Sequence, residues 1–189
     1  MWSGHKTQSV GRLHGLWTFG AWDAAVVVTS RATDLYSSCP AFVAWILAHE
    51  LAHALLAVRE PDVAGLSFFV QENIRDAAPG MSFEWYELPH EDICDRYGRF
   101  VAESFLGQEH FYSEIRTLAD GEGSPMGSAR LSRLLNTPPL TELPSVLPTL
   151  REFVRPFARE LRRIWSEDAQ RGDKSYVAHL DPSILLPDS

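Results

Sequence analysis

Apolar and polar positions along the chain change period several times. Arg12 to Phe19 and Ala24 to Thr29 are short runs rich in apolar, aromatic and β-branched residues, and Gly20-Ala21-Trp22-Asp23 between them supplies turn residues. They predict two short strands, the second apolar on both faces as a strand covered on both sides requires. Ser30 to Ser38 is polar and reads as a loop. Pro40 then opens a helix, since its fixed φ and missing N–H suit the first helical position, with Ser38 or Cys39 as N-cap. That helix runs to about Val58, where Glu60-Pro61-Asp62 stops it. Gly65 to Gln71 and Met81 to Leu88 read as further strands around the turn residues Ala78-Pro79-Gly80. Helices are expected from near His90 to Gly107, from Gln108 to Leu118 and from Ala129 to Leu135. The last runs from Ser145 to Glu167, kinked or divided by Pro156. Its residues Leu150, Phe153, Phe157, Leu161 and Ile164 recur at helical spacing and face a core. After Gly172 we expect a loose tail, in which Ile184-Leu185-Leu186 could dock. The expected class is α+β, a small mixed sheet packed on a central helix with a helical C-terminal part.

Size and composition narrow this picture. A chain of 189 residues with 45% hydrophobic content buries a sizeable core. Residues 1–120 read as that core domain. Residues 121–148, with Gly121-Glu122-Gly123-Ser124-Pro125 and a proline-rich stretch, read as a connection. Residues 149–189 read as a C-terminal helix and tail packing on the same domain. A net charge of −8 and a pI near 5.3 argue against a general nucleic-acid or anionic-membrane binder. The first residues carry no charged segment followed by an apolar one, and the longest apolar stretch, Pro40 to Ala48, is short for a membrane span. A cytoplasmic location is therefore expected. Cys39 and Cys94 form neither a disulfide framework nor a zinc-ribbon spacing.

The candidate chemistry lies in the helix opened by Pro40. It contains His49-Glu50-Leu51-Ala52-His53, an H-E-x-x-H set among Phe42, Val43, Trp45, Ile46, Leu47, Leu51, Leu55 and Leu56. Residues four apart share one helical face, so His49 and His53 can aim ring nitrogens at one cation. Glu50 lies about 100° round the helix, within reach of a water on that cation. Three polar groups buried without partners would cost several kcal/mol, and a zinc ion with its water satisfies them.

A catalytic zinc normally takes three protein ligands and keeps one open position. The best third candidate is Glu91, in the first turn of the helix after Pro89, where Cys94 and Gly98 are small enough to let two helices approach. Asp95, His90, Asp92, Glu103 and His110 remain as rivals. Asp95 could instead accept the N–H of a ligand histidine. Trp45, one turn before His49, is expected to pack near the metal, and Cys94 to be a small buried hydrophobe. Arg151, Arg155, Arg159 and Arg163 recur every four residues and read as a solvated helix face, the other reading being a surface for an acidic partner.

The order of a strand, a polar loop, His49-Glu50-Leu51-Ala52-His53 and a glutamate opening a second helix resembles the gluzincin metallopeptidases, most closely the compact ImmA/IrrE-type family. Those proteins carry a second-helix motif E-x-x-A-[N/D]-x-[F/Y]-A. Glu91, Asp95 and Tyr97 match it, and Cys94 and Gly98 replace its two alanines. The resemblance covers roughly residues 24–107. It implies a zincin-like fold and a zinc-dependent peptidase acting on a protein or peptide substrate, with His49, His53 and Glu91 on the metal and Glu50 as general base. Tyr86, Tyr97, Tyr112, His90 and His110 are candidates for stabilising an oxyanion. An alternative is a zincin-fold regulatory or protein-binding module without activity. Another is a structural metal site closed by a fourth ligand such as Cys94.

Overall fold

The computed structural model describes residues 11–18, 21–28, 38–121, 128–171 and 180–186. Two strands, β1 (Gly11–Thr18) and β2 (Ala21–Val28), pair in a two-stranded sheet. Seven α-helices follow among the described residues: α1 (Pro40–Arg59), α2 (Pro61–Ala77), α3 (Pro89–Leu106), α4 (Gln108–Asp120), α5 (Ser128–Asn136), α6 (Leu147–Val154) and α7 (Ala158–Arg171). Short 3-10 turns lie at Trp85–Glu87, Arg155–Phe157 and Pro182–Ile184.

This is a helical fold, which corrects the expected α+β class. No mixed sheet forms on the central helix among the described residues. Gly65 to Gln71 lies inside α2 and not in a strand. Its aromatic and branched residues suggested an extended run, yet Val63, Leu66, Phe69, Val70, Ile74 and Ala77 are buried at the three-and-four spacing of a helix face. Pro61 ends α1 and, at the first position of α2, also starts the next helix. Met81 to Leu88 holds only the 3-10 turn and no strand. Pro156 divides the last expected helix, as its missing N–H and ring demand.

The described chain forms two compact units, whose boundaries fall inside α1 and inside α3. Of the described residues, the first takes 11–15, 24–28, 38–54, 93–121 and 128–143. Its core joins Phe42, Trp45 and Ile46 of α1, Ala102 of α3, Phe111 and Ile115 of α4, and Leu131 and Leu134 of α5. The second takes 16–18, 21–23, 55–92, 144–171 and 180–186. There α2 packs on α7, with Phe69 against Trp165 at 4.8 Å between ring centroids, and Phe83 meets Phe153 and Phe157 edge-on. Ile184-Leu185-Leu186 docks in this unit. Leu185 and Leu186 are buried, and Arg151 donates to the Ile184 carbonyl at 2.7 Å.

Helix α1 is long and apolar enough to cross a membrane by length and composition, unlike the shorter run expected from the sequence. Just over half of its most apolar 18-residue window, 56%, is buried within the protein, and the helix carries His49, Glu50 and His53.

Candidate metal centre

In the first unit α1 and α3 approach closely at Gly98. A Cβ there would stand 2.8 Å from the His49 backbone nitrogen and 3.2 Å from the Trp45 carbonyl oxygen. Only glycine admits this approach, and it sets the motif face of α1 against the face of α3 carrying Cys94 and Asp95.

His49 is buried, with its Nδ1 2.8 Å from Asp95 Oδ1. An ionised carboxylate only accepts, so His49 Nδ1 carries the proton, and when the ring is neutral its lone pair lies on Nε2. That Nε2 faces His53 Nε2 at 3.1 Å, with the rings edge-to-face. On its far side His53 Nδ1 lies 3.4 Å from Cys94 Sγ. Two nitrogens held by one tetrahedral zinc at about 2.05 Å each stand about 3.3 Å apart, so the observed spacing is nearly that of two ligands to one ion. Without a metal a single proton between the nitrogens satisfies both. A cation takes its place if the His53 proton moves to Nδ1, where the Cys94 sulfur accepts it.

Glu91 stands in the first turn of α3, one turn before Asp95 on the same continuous helix, and is buried. His49 and His53 lie in the first unit, and Glu91, at the start of α3, falls in the second. Two imidazoles and a carboxylate, one imidazole backed by a second carboxylate, make a donor set that fits zinc and other borderline divalent metals.

The rival third ligands are engaged elsewhere or lie outside this group. Asp95 backs His49 and pairs with Arg130. Glu103 accepts from Arg99 Nε at 2.6 Å. His90 Nε2 is 3.2 Å from Gln71 Oε1. His110 is exposed on α4, 3.7 Å from Glu114. Asp92 is half-buried and not in the cluster. Among the oxyanion candidates, Tyr112 bonds Arg99 and the Leu135 carbonyl, whereas Tyr86 and Tyr97 are half-buried. The arginine stripe is a paired surface: Arg155 meets Glu152, Arg163 meets Glu160 and Glu167, and Arg151 bonds the Ile184 carbonyl.

Sequence reasoning missed a second layer around Asp95. Arg130, on α5, is almost wholly buried and grips this carboxylate with two nitrogens, Nε to Oδ2 at 3.0 Å and Nη2 to Oδ1 at 2.5 Å. Burial alone would push the Asp95 carboxyl up, but the charges of Arg130 and His49 and their hydrogen bonds hold it below the usual carboxylate range. The Arg130 guanidinium stacks 4.9 Å over the Trp45 ring, whose indole N–H donates to the Asp95 backbone carbonyl at 3.2 Å. The signal was a charge on an apolar face, since Arg130 shares a helical side with the buried Leu134. Comparison with known protein families, curated proteins and solved structures finds no match for this chain.

Proposed function

We propose that this chain is a zinc-dependent peptidase of gluzincin type, with His49, His53 and Glu91 holding the metal and Glu50 as general base. The observation that carries the reading is the meeting of the two histidine Nε2 atoms at 3.1 Å on the helix that also bears Glu50, with the buried Glu91 as the proposed third donor. Three protein donors leave one tetrahedral position open, the arrangement of catalytic and not of structural zinc. Cys94 does not close it: its sulfur lies against His53 Nδ1, behind the ring and away from the Nε2 that faces His49.

Zinc bound there would polarise a peptide carbonyl and acidify water. Glu50 takes one proton from the attacking water as the new C–O bond forms. It delivers that proton to the amine as the C–N bond breaks. Asp95 would hold the His49 ring in the tautomer that leaves Nε2 free to ligate, and the Cys94 sulfur would accept the His53 proton at Nδ1 once it leaves Nε2.

The test is Glu50→Gln in the zinc-loaded protein, assayed on a quenched-fluorescent peptide library. Metal content stays at the wild-type level and hydrolysis falls by about 10²–10⁴-fold. Hydrolysis retained by the variant removes Glu50 from its role. A zinc-loaded wild-type protein that cleaves nothing, including denatured protein substrates, overturns the peptidase reading in favour of a binding module.

A further inference from the structure

We propose that Arg130 is a positioning residue of the metal centre, acting on His49 through Asp95. The inference rests on the metal site proposed above and extends it to a helix some 80 residues away in sequence. The connection is continuous and buried. Arg130 Nε and Nη2 take both carboxylate oxygens of Asp95, and one of these, Oδ1, also receives His49 Nδ1. A guanidinium fork fixes the plane of a carboxylate as well as its distance. The Asp95 side chain therefore has one orientation, and so has the imidazole bonded to it. Trp45 closes the arrangement from α1, its ring under the guanidinium and its N–H on the Asp95 carbonyl.

The position of α5 is itself fixed from α3. Arg99, one turn beyond Asp95, is buried and donates to the carbonyls of Leu134, Leu135 and Thr137 at the C-terminal end of α5. The two helices thus exchange buried arginines, Arg130 reaching from α5 to α3 and Arg99 from α3 to α5. A core in need only of packing would be served by apolar residues at 130 and 95 at least as well. The ion pair aims a carboxylate oxygen at a histidine.

The experiment is a double-mutant cycle on zinc affinity in the full chain, stripped of metal and titrated with zinc against a chromophoric chelator. Arg130→Met weakens zinc binding by about 10–100-fold, as loss of support behind a ligand does. Asp95→Asn weakens it similarly. Arg130→Met added to Asp95→Asn costs nothing further, because Arg130 acts only through that carboxylate. Thermal unfolding of each apo-protein separates this from a loss of fold. Wild-type zinc affinity in folded Arg130→Met overturns the proposal, as does an additive loss in the Asp95→Asn background. If Arg130→Met does not fold, the comparison of Asp95→Asn with the double variant, in which both buried charges are gone, still decides. A wild-type protein that binds no zinc defeats the metal site itself, an outcome distinct from either of these.

Discussion

At the scale of single residues, the candidate site is a matter of which ring nitrogen faces which partner. His49 is committed through Nδ1 to a carboxylate and His53 through Nδ1 to a sulfur, so both turn Nε2 toward one point. This was partly legible in the sequence. The four-residue spacing of His49 and His53 dictates a shared helical face, and a glutamate in the first turn after Pro89 was the best third donor. Asp95 was read either as a rival third ligand or as the acceptor behind a ligand histidine. What stood behind Asp95 did not follow, because Arg130 is remote in sequence and nothing local marks it except a charge among leucines. The residue-scale prediction concerns Glu91. Glu91→Gln removes the only anionic donor of the three and lowers zinc affinity by at least about 10-fold, read by chelator competition. Unchanged affinity would exclude Glu91 as a ligand and return the third position to its rivals.

At the scale of elements, two contacts bring the site residues together. Gly98 lets α3 lie against the backbone of α1 at His49 and Trp45. Gly98→Ala forces that approach apart and destabilises the protein by about 1–3 kcal/mol in urea unfolding, with a weaker metal site. A variant of wild-type stability would show that the two helices yield there without cost. The second contact is the Arg99 cap on α5. Arg99→Met leaves the carbonyls of Leu134, Leu135 and Thr137 without their buried donor and Glu103 without its cation, a loss of about 2–4 kcal/mol in the same assay. Two of the three helices that begin at a proline, α1 and α3, were readable because proline fixes φ at the first turn, whereas Pro61 read only as a stop and the start of α2 was missed. The strand expected at Gly65 to Gln71 failed because a short apolar run has no unambiguous period. Only the longer window from Val63 to Ala77 shows the helical repeat.

At the scale of the whole molecule, the structure replaces the expected α+β plan with helices and, among the described residues, a two-stranded sheet, so the family resemblance rests on the two helices that carry the motifs. The helical spacing of Leu150, Phe153, Phe157, Leu161 and Ile164 located α6 and α7, whereas long-range pairing, which decides whether a sheet exists, leaves little local trace. A metal bound by the folded chain and not by the unfolded one must stabilise it. Zinc at 100 times its Kd adds about 2.7 kcal/mol, which for a chain of this size raises Tm by roughly 5–10 °C. The rise should be absent in His49→Ala. The most direct test of the account is the metal content of the purified protein beside His49→Ala, measured by elemental mass spectrometry. The account predicts about one zinc per wild-type chain and loss of that zinc in the variant. No metal in either protein, even after zinc is added, would contradict it and leave His49 and His53 as structural residues.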